Sequence, residues 1–180
     1  AGFIVGIVER SRVIDGRSIV PGDVLIGLPS AGLHTNGYSL ARRVLFETVG
    51  WTADTVVPEL GATVGDALLA PHRSYLPVVR PLLPRQTLKG LAHITGGGIT
   101  ENLPRVLPEG CSAEIDLGAW SVPALFQLLQ ERGQIPRDEM FRAFNMGIGL
   151  VLVCAPGEAE RIINTLARNG EPHAVRIGSV

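Results

Sequence analysis

Two stretches hold residues whose types and spacing could do chemistry. The first is Pro29-Ser30-Ala31-Gly32-Leu33-His34-Thr35-Asn36-Gly37, nine small and polar residues between an apolar run and a helical pattern. Loops of this kind, mounted on a rigid scaffold, are where binding groups tend to sit. Thr35 and Asn36 offer uncharged donors, and His34 can donate to an anion or shuttle a proton near neutral pH. A purely structural reading stands beside this one. In it Asn36 caps the following helix, Thr35 closes a turn, Gly32 and Gly37 shape the backbone and His34 is exposed.

The second stretch is His93-Ile94-Thr95-Gly96-Gly97-Gly98-Ile99-Thr100-Glu101-Asn102. Three consecutive glycines are poor strand or helix interior; they suit a turn needing positive φ, or backbone approached closely by a ligand. The turn opens a helix, whose first N–H groups lack partners and carry the positive end of the dipole. Phosphate therefore suits Thr95 and the N–H groups of Gly96, Gly97 and Gly98. The competing reading is a simple chain reversal, since the run is neither GxxxxGK[ST] nor GxGxxG. His93 is either a satisfied histidine on an apolar strand or a group aimed at whatever the turn holds. Glu101 and Asn102 either complement the helix dipole or touch a ligand edge. Further on, Asn145 is the polar exception in Phe144-Asn145-Met146-Gly147-Ile148-Gly149, where two glycines indicate close backbone approach. It either satisfies a neighbouring loop or reaches the same ligand.

No metal site is expected. His34, His72, His93 and His173 are far apart and never pair at i,i+4 or with cysteine. Cys111 and Cys154 lack CxxC spacing and read as buried thiols in a reducing compartment.

The elements that must position these residues follow from periodicity and punctuation. Strands are expected at 3–9, 24–28, 86–95, 112–117, 146–154 and 173–180. The run 146–154 is almost unbroken in its apolarity and is therefore interior. Helices are expected at 38–49, 64–69, 71–80 with a kink at Pro77, 99–107 disturbed by Pro104, 122–133 and 158–168; 50–61 reads as loop. Helices and strands interleave without a strict βαβ period. That favours a single α+β domain, a mixed β-sheet layered with helices in three α/β/α layers and partly ferredoxin-like.

Bulk composition agrees. Of 180 residues 46% are hydrophobic and 18% charged, a globular balance. A net charge of -1, scattered Lys and Arg and 5% aromatics offer no nucleic-acid surface. No stretch reaches ~18 uncharged apolar residues and no signal peptide opens the chain, so a soluble cytoplasmic protein with no membrane contact is expected. Ala1 stands in place of an initiator Met and leads straight into a strand-like run. This suggests a domain cut from a longer protein.

Taken together, the loops resemble the phosphoribosylformylglycinamidine cyclo-ligase (aminoimidazole ribonucleotide synthetase) family. The resemblance runs through Gly22-Asp23-Val24-Leu25-Ile26-Gly27-Leu28, Gly32-Leu33-His34-Thr35-Asn36-Gly37-Tyr38-Ser39-Leu40, His93-Ile94-Thr95-Gly96-Gly97-Gly98, Glu101-Asn102-x-Pro104-Arg105-Val106-Leu107-Pro108 and Phe144-Asn145-Met146-Gly147-Ile148-Gly149. Ala31 and Thr35 stand where many members carry serines, so no role is carried to position 31. The resemblance implies the carboxy-terminal domain of an enzyme that phosphorylates the formyl amide of formylglycinamidine ribonucleotide with ATP. Ring closure to aminoimidazole ribonucleotide follows. It further implies an amino-terminal domain that holds most of the ATP and Mg2+ and makes a homodimer. On this chain it implies His34 and then His93 as proton carriers. Gly32, Thr35, Asn36, Gly37, Thr95, Gly96, Gly97, Gly98, Glu101, Asn102 and Asn145 become the substrate or phosphate contacts. Two alternatives remain: a related ATP-dependent small-molecule phosphotransferase, and a non-catalytic binding module.

Overall fold

The computed structural model describes residues 5–180. In chain order its main elements are β1 (Val24–Pro29), α1 (Tyr38–Arg42), β2 (Val56–Val57), β3 (Ala62–Thr63), α2 (Val64–Leu68), α3 (Leu76–Val79), β4 (Leu88–His93), α4 (Gly98–Asn102), β5 (Glu114–Ile115), α5 (Ala124–Gly133), α6 (Arg137–Ala143), β6 (Ile148–Cys154), α7 (Ala159–Arg168) and β7 (Val175–Ser179). Every residue of β6 is buried, as its apolar run requires. It achieves this by pairing on both edges within a five-stranded sheet of order β4-β6-β1-β7-β5. All four pairings are antiparallel. The expected α+β fold therefore holds, while its sheet is antiparallel rather than mixed. Burial on both faces gives a strand the same apolar run in either kind of sheet, so composition could not separate them.

Alternation along the strands sorts side chains onto two faces. Val24, Ile26 and Leu28 of β1 join Leu152 and Cys154 of β6 on one face. There Ile162 and Leu166 of α7, Val78 and Val79 of α3, and Leu82 cover them. On the other face Leu25, Val151, Val153 and Ile177 meet Ile99, Leu103 and Ile19. These faces make the three layers. A further cluster lies where β1 leaves the sheet and β6 enters it, packing Leu33 from the loop before α1, Val44 and Leu45 from the π-helical turns Arg43–Thr48 that continue α1, and Phe126, Leu129, Met140 and Phe144 from α5, α6 and its C-cap. Together the three clusters give the site-bearing loops an apolar floor.

Several expectations are corrected. Residues 5–9 of the expected strand 3–9 pair with nothing and leave Val5, Ile7 and Val8 exposed, whereas 3 and 4 lie outside the described residues. β propensity without a partner edge does not make a strand. Within 50–61 the short β2 pairs with β3, and α6 is an additional helix. Residues 71–75 are not helical; helix α3 starts at Leu76, and Pro77 sits in its first turn, where a missing N–H costs nothing, instead of kinking it. Asn36 does not cap α1, because the N-cap residue is Gly37 at φ 79 and no side chain caps it. No helix among the described residues is long and apolar enough to cross a membrane.

Candidate active site

Because β1 and β4 are each antiparallel to β6, they run parallel to one another on either side of it. Their C-terminal ends and the N-terminal end of β6 thus share one edge of the sheet. This topology brings the polar loop after β1, the glycine turn after β4 and the 144–147 turn together. The extended segment before α3 crosses the same edge, where the Tyr75 hydroxyl donates to the Pro29 carbonyl at 2.9 Å and Arg73 pairs with buried Glu171.

His34 lies at the centre, 3% exposed and in the left-handed region at φ 58. Such a conformation is uncommon for a side-chain-bearing residue and persists only where its surroundings impose it. The Ala31 N–H donates to His34 Nε2 at 3.0 Å, so the neutral ring carries its proton on Nδ1. Nδ1 is buried and has no hydrogen-bond partner among the described residues. His72 stacks on this ring with centroids 4.0 Å apart and planes 18° from parallel, and its Nε2 lies 3.3 Å from His93 Nε2. Gly149 leaves room for the group: a Cβ there would sit 2.0 Å from Tyr75 Oη and 2.7 Å from His34 Cε1.

Burial, with His72, His93 and Arg73 close by, pushes the His34 pKa down to about 4. Burial and His72 lower that of His93 as well. His34 is therefore a neutral hydrogen-bond donor at physiological pH. A low-dielectric setting penalises its charged form, which favours the donor role over the proton-shuttle role expected of it. The expectation that the histidines stay apart is corrected. His34, His72 and His93 each bring a ring nitrogen within 4.8 Å of the other two. Sequence spacing missed this because β1, the segment before α3 and β4 meet only through the sheet.

Several predicted contact residues already have partners inside the protein. Asn102 is 5% exposed; its Nδ2 donates to the carbonyls of Thr95, Gly96 and Gly98 at 3.3, 3.1 and 2.8 Å. Its Oδ1 accepts from the Thr95 hydroxyl at 3.0 Å. Asn145 is 3% exposed, donates to the Gly32 carbonyl at 2.8 Å, and accepts from the Ser30 hydroxyl at 2.8 Å and the Gly147 N–H at 2.9 Å. Both asparagines hold loops in place, the alternative left open for Asn145 by its sequence. The Gly98 N–H donates to the Thr95 carbonyl at 3.0 Å.

The groups facing outward are fewer. Thr35 and Gly96 are exposed, and Asn36 and Gly97 are half-buried. Asn36 Oδ1 lies 3.3 Å from where a Gly96 Cβ would be, so the two loops touch. Gly97 introduces α4 at φ 95. The Glu101 carboxylate folds back beside Gly97 and reaches Arg105 at 4.0 Å. An anion at Gly97 would meet that negative charge, which favours Gly96 and the Thr35-Asn36 side for a phosphate. A cavity of about 590 Å³ lined by Ile99, Leu103, Cys111, Asp138 and Arg142 lies elsewhere, on α4, and includes none of the histidines.

Residues 20–180 match the family described as AIR synthase related protein, C-terminal domain. A phosphoribosylformylglycinamidine cyclo-ligase of Bifidobacterium longum (strain DJO10A) is 49% identical over 181 residues, covering 100% of this chain and 52% of the relative. One from Sorangium cellulosum (strain So ce56) is 52% identical over 173 residues, covering 95% and 50%. The chain thus spans about half the length of the curated relatives it matches. Among solved structures, thiamine-monophosphate kinase from Stenotrophomonas maltophilia K279a aligns with TM-score 0.61 at 17% identity, over 96% of this chain and 51% of that one. E. coli HypE aligns with TM-score 0.59 at 20% identity, over 92% and 45%. At such identities the likeness is one of fold alone.

Proposed function

The chain belongs to the AIR synthase related protein, C-terminal domain family, and from that premise we propose that it forms the carboxy-terminal half of a phosphoribosylformylglycinamidine cyclo-ligase. In this reading the whole protein converts formylglycinamidine ribonucleotide and ATP to aminoimidazole ribonucleotide, ADP and phosphate. The single observation that carries the assignment of a site is the convergence of His34, the Thr35-Asn36 loop and the glycine turn at one end of the sheet.

The formyl amide oxygen is a poor leaving group until ATP phosphorylates it, and the amidine nitrogen then closes the ring. Phosphoryl transfer depends on positioning and on donors placed where charge develops. This chain supplies such donors. The unpartnered Nδ1–H of neutral His34 is suited to an amide or phosphoryl oxygen, and Gly96 N–H with Thr35 and Asn36 to the ribonucleotide phosphate. Gly32, Gly37, Gly98, Thr95, Asn102 and Asn145 set the loops that present them. In this reading His93, exposed at the rim, exchanges protons with solvent.

Magnesium requires several oxygen ligands in near-octahedral array. The glycine turn offers one exposed carboxylate, Glu101, so these loops do not fit that ion. We place the magnesium–ATP site and the dimer contact on an amino-terminal domain, for which the relatives' greater length leaves room, in a cytoplasmic enzyme.

ADP release by the full-length protein tests the reaction. Release that depends on formylglycinamidine ribonucleotide is expected. Release with a different small-molecule acceptor would make the protein another phosphotransferase, and no release with any acceptor would leave a binding module.

A further inference from the structure

We infer that His34, His72 and His93 form a binding site for one divalent transition-metal ion of borderline softness, such as zinc, cobalt or nickel. The inference goes beyond the ATP-dependent reading: a metal on His34 Nδ1 displaces the Nδ1–H donor proposed above, so the two states exclude one another, and metal binding is measured without nucleotide or substrate. It starts from a distance. The Nε2 atoms of His72 and His93 are 3.3 Å apart. Two imidazole nitrogens bound to one metal at ~2.1 Å and separated in this way subtend about 105° at the ion, close to tetrahedral. Two of the three ligands therefore already stand at a coordination spacing.

His34 supplies the third nitrogen. One ring nitrogen of each histidine lies within 4.8 Å of one on each of the other two, so those nitrogens have at most about 1.4 Å to close to a tetrahedral spacing. Its Nδ1 is buried and unpartnered, an arrangement that points to a missing ligand. To bind through Nδ1 the ring passes its proton to Nε2 and gives up the Ala31 N–H bond. Ala31 is exposed, so its amide can turn to water. His72 has to tilt out of its stack on His34, because a metal lies in the plane of each imidazole it binds. It is free to do so, being exposed on the irregular segment before α3.

The donor set selects the metal. Three imidazoles without a carboxylate suit zinc, cobalt, nickel or copper and disfavour magnesium or calcium. Three protein ligands also leave a fourth position open to water or to a ligand oxygen.

The test is a cobalt(II) titration of this chain, tag-free and stripped of metal, followed by visible ligand-field absorption and by metal analysis. One equivalent per chain is expected, displaced by zinc and not by magnesium. His72→Gln and His93→Gln, both at exposed positions, should each weaken binding at least tenfold with unchanged circular dichroism, and His173→Gln should leave it unaltered. Paramagnetic proton NMR of the cobalt form should count three coordinated imidazoles. No cobalt spectrum, a spectrum unchanged by either substitution, or fewer than three coordinated imidazoles would overturn the site.

Discussion

His34 combines a buried ring, a left-handed backbone and a depressed pKa, and its effect on stability can be given a sign. In the unfolded chain a histidine titrates near 6.5; in the fold His34 titrates at about 4. Between those values the unfolded state binds the extra proton, so stability rises with pH through the window and is lost as pH falls from 6.5 toward 4. In chelator-treated protein the melting temperature should fall over that range. His34→Gln should flatten the fall, and an equal slope in the variant would refute the linkage. Asn145→Ala should cost about 2–3 kcal/mol in denaturant titrations, since it strands the buried Gly32 carbonyl and Gly147 N–H. The polar make-up of the His34 loop was legible in sequence because it resides in residue types side by side. For Asn145 the sequence offered the loop-holding role as one of two and could not name the partner, because Gly32 is 113 residues away.

Among the elements, α4 shows a packing constraint that a glycine count alone does not convey. Gly98 has φ 59, and a Cβ there would lie 1.8 Å from the Phe141 carbonyl oxygen of α6. Gly110 has a similar φ of 81 with nothing within 4 Å. Left-handed strain alone costs ~1–2 kcal/mol, which is the loss expected for Gly110→Ala. Gly98→Ala should lose that and the α4–α6 contact, at least ~3 kcal/mol in the same denaturation experiment. Equal losses would mean that the contact is unimportant. The third glycine of the turn is thus a packing residue, and the outward groups are Gly96 and Gly97. Periodicity located β1, β4, β6, β7, α5 and α7, because each buries one stripe or an entire run. It missed α6, and it read 71–75 as helix, which concealed His72; short segments hold too few residues for a period to show.

At the scale of the molecule, the antiparallel sheet collects at one edge three loops whose bonded residues are as much as 115 positions apart in sequence. Sequence could name the loops and their family resemblance. It could not show which side chains are already committed to one another, since that depends on the strand order β4-β6-β1-β7-β5. The central claim is that this edge binds the ribonucleotide while ATP is held elsewhere. The most direct measurement is steady-state ADP release by the full-length protein, with formylglycinamidine ribonucleotide and ATP varied separately, for wild type, Asn36→Ala and Gly96→Asp. Gly96 is exposed with only the Asn36 side chain near its Cβ position, and Asn36 is half-buried, so circular dichroism is expected to be unchanged in both variants. The account predicts a KM for the ribonucleotide raised at least tenfold, about 1.4 kcal/mol, with the KM for ATP within twofold of wild type. Unchanged ribonucleotide KM in both folded variants, or an equal rise for ATP, would contradict it.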